Sequence, residues 1–247
     1  MNLLHPNYIS HEAIKDAIVE KGYCVINASS VCEWANCSPN ELQVLSSHWH
    51  DMPHDSYLKD GGRYRRRLHS CFEYENEKLS QVPHRAHWQP LDFNALHGGM
   101  ERWFSPLHEH TVASTAWSRL LTAFARTASD VRGGHPMKWC IEAHQFRIDT
   151  TDGIGRPTPE GAHRDGVDFA AVFMITRSSI KGGETRVFEA NAPYGERFTL
   201  SEPWSLLLLD DNRVIHESTP IQPLEEGGYR DTLVLTCREN VFQDPPT

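Results

Sequence analysis

Residues 161–166 read Gly-Ala-His-Arg-Asp-Gly, and an apolar segment begins shortly after them at Phe169. Side chains two positions apart point to the same face of an extended backbone, so His163 and Asp165 can reach one point while Arg164 faces away. The pattern therefore places an imidazole and a carboxylate together at the start of a strand. A single His-x-Asp pair is common by chance in a chain with 15 histidines, so its meaning depends on the surrounding sequence.

A third candidate ligand lies well downstream of this pair. His216 follows the very apolar run 206–209 and the polar stretch 210–213. A few antiparallel strands of a barrel can bring it back to His163 and Asp165. Two imidazoles and one carboxylate on one face, with further coordination positions open, are typical of non-haem Fe(II) oxygenases. The sequence thus predicts that these three residues are the metal ligands and form the catalytic centre.

A partner for an anionic co-substrate follows on the next predicted strand. Arg230 and Thr232 share one face of the segment 229–235 because they are two positions apart. A guanidinium group and a hydroxyl can together bind a carboxylate through charge-assisted hydrogen bonds. We expect these two residues to bind the distal carboxylate of 2-oxoglutarate.

The pattern of apolar runs predicts the fold class. From Met137 onward, short apolar runs alternate with Gly- and Pro-containing turns, and six of them are predicted strands: 139–149, 169–176, 185–189, 204–209, 214–217 and 229–238. Before them, helical patterns cover 10–21, a segment from Ser38 to about His48, and about 106–127. We expect a mainly β protein with flanking helices (α+β), with a sandwich or jelly-roll barrel of the cupin-like kind as its core.

The N-terminal part contains further signals. Gly22 should stop the first helix and precede a strand at 23–26, and Ser38-Pro39-Asn40-Glu41 is a capping box. The region 51–90 is rich in His, Pro, Gly and Arg and is predicted to form loop and lid material, with one strand near 65–74. No composition shift marks a boundary, so we expect one domain, 1–247, whose helix-rich part (about 1–135) packs on and extends a core at about 136–240.

Composition limits the classes of partner. The net charge of −9 disfavours nucleic acid. The basic cluster Arg63–Arg67 is predicted to form a strand with solvated or anion-binding arginines on its faces, and small carboxylates are better ligands for it than RNA. No long apolar segment indicates a membrane span, and no secretory signal is apparent, so we expect a cytoplasmic protein that acts on a small molecule. No pattern predicts the oligomeric state.

Several segments resemble bacterial 2-oxoglutarate- and Fe(II)-dependent dioxygenases, the family that includes the L-isoleucine 4-hydroxylases. They are HRDG (163–166), GGET (182–185), TLSEP (199–203), LDDNRVIHESTPIQP (209–223) and YRDTL (229–233). The resemblance implies a double-stranded β-helix with His163, Asp165 and His216 on iron and Arg230 on 2-oxoglutarate. It also implies the reaction, in which O₂ and 2-oxoglutarate are consumed, succinate is formed and a substrate C–H bond is hydroxylated.

The substrate is less well determined by the sequence. A free aliphatic L-amino acid is the first candidate, and Gln145 and Arg147 could bind its head group because they share one face of the strand 139–149, which we expect to line the barrel. A purely structural role for these two residues is equally open. The alternatives are the same chemistry on a peptide-tethered or other small substrate, oxidation at sulfur, and a non-catalytic barrel that senses a metal or metabolite.

The remaining histidines are not expected to form a second metal site. His48 and His50, like His108 and His110, are two positions apart beside predicted helices, where such residues do not share a face. We expect His69, His84 and His87 to be loop or solvent-exposed residues. His144 should point away from the face of Gln145 and Arg147.

Overall fold

The computed structural model describes residues 4–246, and the helices lie in the N-terminal part of the chain, whereas strands occur throughout. After a 3₁₀ turn at His11–Ala13, the helices are α1 Ile14–Lys21, α2 Ala28–Ala35, α3 Pro39–Ser46, α4 Glu109–Val112 and α5 Thr115–Val131. The strands are β1 Tyr23–Ile26, β2 Arg65–Glu75, β3 Lys78–Gln81, β4 Trp139–Asp149, β5 Phe169–Ser178, β6 Ile180–Gly182, β7 Thr185–Glu189, β8 Gly195–Phe198, β9 Leu206–Asp210, β10 Val214–Ser218, β11 Ile221–Pro223 and β12 Tyr229–Glu239. Among the described residues, no helix is long and apolar enough to cross a membrane.

Two antiparallel layers form the core. The major sheet has seven strands in the order β1-β9-β5-β12-β4-β2-β3, so strands from both ends of the chain pair in one sheet. The smaller layer contains β10-β7-β8 and the pair β11-β6. This arrangement is the double-stranded β-helix with flanking helices that the sequence predicts, and that prediction is confirmed.

The two faces of the central strands have different surroundings. On β12, Leu233 and Leu235 are fully buried in the apolar core that also holds Trp117 and Phe124 of α5. The alternate residues of β12, beginning with Arg230, line a cavity on the inner side of the sheet. Since side chains alternate along a strand, the helices cover one face of the major sheet while the other face lines the barrel interior.

The helix predictions are confirmed at the N-terminus and wrong at the long helix. The capping box at Ser38 is present, with Ser38 accepting from the Glu41 backbone, and Gly22 ends α1 with a φ of 81°. The predicted helix 106–127 is instead the short α4 followed by α5, which begins at Thr115, because Ser114 has an extended backbone. Helix α2 was not predicted; the Asn27 side chain caps it by accepting from the Ser30 backbone.

The apolar side of β12 provides a test of the core. Replacing Leu235 by alanine removes side-chain contacts at a fully buried site, so we expect a loss of about 2–5 kcal/mol in the free energy of unfolding. Leu224→Ala is the matched control because Leu224 is 64% exposed. Urea denaturation followed by circular dichroism measures both. Equal stability of the two variants would contradict the assigned packing of β12.

Candidate active site: a metal centre beside a buried arginine

Backbone pairing brings the two predicted histidine ligands together. His216 lies in β10, and His163 forms an isolated antiparallel bridge with it. The His163 N–H donates to the His216 carbonyl at 3.0 Å, and the His216 N–H donates back at 2.9 Å. Residues opposite each other across such a pair have neighbouring side chains, so the loop that carries His163 is held against the strand that carries His216.

The three predicted ligands converge on one point. Asp165 Oδ1 lies 3.6 Å from His163 Nε2, and Asp165 Oδ2 lies 3.8 Å from His216 Nε2. One donor atom from each of the three residues lies within 4.8 Å of the others. His163 Nδ1 is 2.9 Å from the Gly161 carbonyl. A carbonyl oxygen can only accept a hydrogen bond, so Nδ1 carries the proton and donates it. In the neutral ring, Nε2 then has the lone pair that a metal requires.

The protonation states of these three residues are suited to binding a metal cation. Burial lowers the pKa of His163, but Asp165 and Glu160 outweigh it and raise that pKa to about 10. Burial also raises the pKa of Asp165, but His163 and then His216 hold it well below its ordinary value. The pKa of His216 falls to about 4 through burial and the neighbouring His163. A metal ion can therefore displace the His163 proton and bind an ionised carboxylate with two neutral imidazoles.

Asp211 holds the ligand loop in place and was not singled out from the sequence. Its Oδ1 accepts the backbone N–H of Asp165 at 2.9 Å, and its Oδ2 accepts those of Gly166 at 2.8 Å and Val167 at 3.1 Å. Burial and then Asp165 raise the pKa of Asp211 to about 7. The signal was available: Asp211 follows a strand of five buried residues, at the point where the chain turns towards His216.

Arg230 presents a carboxylate-binding edge in the same cavity. It is 3% exposed, and its Nε and Nη2 have no hydrogen-bond partner in the part of the chain that the structure describes. These two atoms form one edge of the guanidinium fork, which matches a carboxylate in a bidentate way. Burial and then Arg177 lower the pKa of Arg230 to about 10, so it stays charged at neutral pH. Thr232 lines the cavity two residues further along β12.

One cavity contains the metal cluster, Arg230 and a further polar region. The apolar part of its wall includes Ile148, Val172 and Val234. Much of its remaining polar lining comes from β2, from β4 and from the segment 82–104: Arg65, Arg67, His87, Gln89, Asn94, Arg102, Glu142 and His144. The barrel interior therefore combines a metal-binding cluster and an anion-binding arginine with many other charged groups.

The expectation that Gln145 and Arg147 line the cavity is wrong. The cavity face of β4 carries Glu142, His144, Phe146 and Ile148, which alternate with them. Gln145 lies fully buried opposite Leu68 and Leu233. Arg147 donates through Nε and Nη2 to the two carboxylate oxygens of Asp231, at 2.7 Å each. The strand was predicted correctly, but its inner face is the one with the buried charged residues.

The same alternation corrects the histidine predictions. His144 does point away from Gln145 and Arg147, but this direction is towards the cavity. His69 and His87, expected on loops or in solvent, are 0% and 6% exposed. Both hydrogen-bond to Oε2 of Glu142, at 2.8 Å and 2.7 Å. Neither the histidines nor Glu142 belong to a recognisable motif, because β4 is distant in sequence from β2 and the segment 82–104.

Comparison with known proteins agrees with this geometry. The family model described as 2OG-Fe dioxygenase matches residues 46–236. A crystal structure of a bsmA homolog from Methylobium petroleophilum PM1 has 46% identity and a TM-score of 0.92, with all of both chains covered. IDO from Bacillus thuringiensis has 16% identity and a TM-score of 0.76, with 97% of this chain and 100% of that chain covered. The Fe(II)/(alpha)ketoglutarate-dependent dioxygenase TqaL has 18% identity and a TM-score of 0.72, covering 94% and 88%. A search of curated proteins finds no match.

A double-stranded β-helix with a His-x-Asp pair, a distant histidine and a buried arginine in one cavity defines the class of 2-oxoglutarate-dependent iron oxygenases. The chain belongs to the 2OG-Fe dioxygenase family, whose members are enzymes that use Fe(II), 2-oxoglutarate and O₂. The residues present fit these groups. The donor set suits Fe(II), and the open edge of Arg230 is a buried polar group that a carboxylate would satisfy.

We expect Asp211→Asn to weaken metal binding by about 10- to 100-fold, because the amide carries one acceptor oxygen in place of the two that orient the ligand loop. Titration of the metal-free protein with Fe(II) under anaerobic conditions measures the affinity. Asp92→Asn, at an exposed loop position, is the control and should bind as the unmodified protein does. Unchanged affinity in Asp211→Asn would mean that the loop is held without this carboxylate.

Proposed function

We propose that the protein hydroxylates a C–H bond of a small molecule, with a free aliphatic L-amino acid as the first candidate. In this proposal His163, Asp165 and His216 hold Fe(II), and Arg230 with Thr232 binds the distal carboxylate of 2-oxoglutarate. The observation that carries the proposal is the Nε–Nη2 edge of Arg230, which has no hydrogen-bond partner within residues 4–246 and lies in the same cavity as the three convergent residues. A metal cluster alone would be compatible with many reactions, whereas an arginine that can bind a carboxylate beside it supports 2-oxoglutarate as the co-substrate.

The residues of the chain would position the reactants. When bound, iron and 2-oxoglutarate supply the oxidising chemistry, in which O₂ is consumed, 2-oxoglutarate becomes succinate and the substrate is hydroxylated. Arg230 would fix the co-substrate through two parallel charge-assisted hydrogen bonds. The apolar wall of Ile148, Val172 and Val234 would exclude water from the co-substrate. The Gly161 carbonyl would keep His163 in the tautomer that binds metal.

The cavity also bears on the choice of substrate. Arg67 and Arg102, which form no ion pair among the described residues, line it together with Glu142, whose pKa is held well below its ordinary value by His87 and His69. Positive and negative groups of this kind are what an amino-acid head group requires. Phe146, Pro157 and Val167 supply apolar surface for an aliphatic side chain. A peptide-tethered substrate remains the second candidate on the same chemistry. A non-catalytic barrel is disfavoured because the whole ligand set and the arginine clamp are present together.

Succinate formation tests the reaction. With Fe(II), ascorbate, air and 2-oxoglutarate, we expect pools of L-amino acids to stimulate succinate production by the unmodified protein. His163→Ala should abolish it because two ligands remain where three are needed. Deconvolution of the active pool would identify the substrate, and mass spectrometry should show a gain of one oxygen atom. Bound iron with no succinate under any condition would support the non-catalytic alternative.

Arg230→Gln tests the co-substrate site separately. Loss of the charged fork should raise the KM for 2-oxoglutarate by about 10- to 100-fold, since hydrogen bonds to charged groups are the stronger ones. Arg238→Gln, eight positions further along the same strand and outside the cavity lining, should leave this KM unchanged. Steady-state succinate formation over a range of 2-oxoglutarate concentrations gives both values. An unaltered KM in Arg230→Gln would exclude it as the anchor.

A further inference from the structure

A cluster of buried polar side chains lines the cavity in addition to the three candidate metal ligands and Arg230. We propose that this cluster binds both the α-ammonium and the α-carboxylate of a free amino acid. We call it the head-group pocket; it is formed by Arg67, His87, Arg102, Glu142 and His144. The inference rests on the proposed function, because it concerns the substrate of the same cavity. All five residues line that cavity, and none is more than 7% exposed.

Glu142 provides a negative charge with one oxygen available. Its Oε2 accepts from His69 Nε2 at 2.8 Å and from His87 Nδ1 at 2.7 Å. Burial raises the pKa of Glu142, but His87 and His69 outweigh it and hold that pKa well below its ordinary value. Within residues 4–246, no hydrogen bond ends at Oε1 of this side chain. An ionised carboxylate with a spare oxygen in a polar cavity is suited to a cationic donor.

His87 adds a second acceptor beside Glu142. Burial lowers the pKa of His87 to about 3, despite the neighbouring Glu142, so the imidazole is neutral at physiological pH. Its Nδ1 carries the proton that is donated to Glu142, which leaves the lone pair on Nε2. The pair therefore offers a carboxylate oxygen and an imidazole nitrogen, both acceptors. A primary ammonium group has three N–H donors and can use both at once.

Two arginines supply the complementary positive charge. Arg67 lies between the rings of Phe104 and Phe146, at 4.1 and 4.7 Å from their centroids, and donates to His144 Nδ1. Arg102 donates through Nη2 to Gln89, and its Nε is without a partner among the described residues. Neither belongs to an ion pair of the described chain, whereas the nearby Arg65 pairs with Asp55 at 2.7 Å.

The balance of charge identifies what the arginines bind. Arg67 and Arg102 together carry two positive charges, and Glu142 carries one negative charge. Burial and then the neighbouring arginines lower the pKa of Arg67, which shows how close the like charges are. A substrate carboxylate between the guanidinium groups would relieve this repulsion without displacing any existing ion pair. The same substrate would place its ammonium group on Glu142 and His87.

A metal ion could bind to part of the head-group pocket in place of the ammonium group. Ligand atoms of His69, His87, Glu142 and His144 lie within 4.8 Å of one another. Three observations favour the ammonium group instead. The N–H groups of His69 and His87 are donated to Glu142, His144 Nδ1 accepts from Arg67, and two arginines stand beside the cluster. Metal binding would break these hydrogen bonds and bring a second cation next to the guanidinium groups.

The pocket implies selection against blocked amino acids. A residue within a peptide has neither a free ammonium nor a free carboxylate, so it would leave Glu142 and the arginines buried without partners. An unpaired buried charge is costly, and sites built for a polar group discriminate strongly against analogues that lack it. The inference thus decides between the two substrate classes, free amino acid and peptide-tethered residue.

The first test compares three pools on the unmodified protein: standard L-amino acids, their N-acetyl derivatives and their C-terminal amides. Binding is measured by saturation-transfer NMR in the presence of Zn²⁺ and 2-oxoglutarate, and turnover by succinate formation with Fe(II). We expect binding and stimulation from the free pool alone. Equal responses to free and blocked pools, or no binding of any free amino acid, would overturn the proposal. Binding of the free pool with no succinate would leave the head-group pocket standing and refute the proposed function.

Paired variants then assign the pocket. Glu142→Gln and Arg67→Gln should weaken binding of the amino acid that the free pool identifies by about tenfold or more. Glu73→Gln and Arg66→Gln are matched controls, because both residues lie on β2 outside the cavity lining, where Glu73 pairs with Lys138 and Arg66 with Asp149. Thermal unfolding checks that each variant is folded. Equal affinities in the test and control variants would overturn the assignment. So would a second equivalent of bound metal, measured by elemental analysis, that Glu142→Gln loses and Glu73→Gln retains.

Discussion

The candidate metal centre depends on the two backbone hydrogen bonds that His163 and His216 exchange. They attach an irregular loop to β10, so the two imidazoles have a fixed separation before any metal arrives. Asp211 completes the constraint by accepting three consecutive amides of the loop that carries Asp165. Backbone contacts thus hold all three ligands. Side chains that are positioned in advance lose little freedom on binding, which favours a well-defined coordination geometry.

The barrel separates two environments on the faces of the same strands. The outer face of β4 and β12 packs apolar residues against the helices, and the inner face buries charged residues around a cavity. Burial of charge is costly unless it is paired. The pairing is complete at Arg65 with Asp55, but Arg230, Arg67 and Arg102 are not compensated by acidic partners among the described residues. These uncompensated charges are the basis of both proposed ligand sites.

The sequence allowed prediction of the chemistry better than of the substrate pocket. His163 with Asp165, and Arg230 with Thr232, are pairs two positions apart, so the i, i+2 rule predicted that each pair shares one face. His216 was added because two imidazoles and one carboxylate are typical of non-haem Fe(II) oxygenases. The prediction that Gln145 and Arg147 bind substrate was wrong because periodicity distinguishes the two faces of a strand without showing which face lines the cavity. The inner face of β4 is polar, contrary to the usual rule that the more polar face is exposed. Glu142 and His87 meet only through tertiary contacts between β4 and the segment 82–104, and no local pattern could reveal this.

This division also explains how one fold can serve different substrates. The proposed metal ligands lie in the loop before β5 and on β10, and Arg230 lies on β12, whereas β2 and the segment 82–104 supply many of the other polar residues that line the cavity. Changes in the second set alter the charge and shape of the substrate end without moving a metal ligand. Structures with only 16% and 18% identity to this chain retain the fold. A shared barrel therefore says little about the substrate, and substrate assignment must rest on the charges of this chain's own cavity.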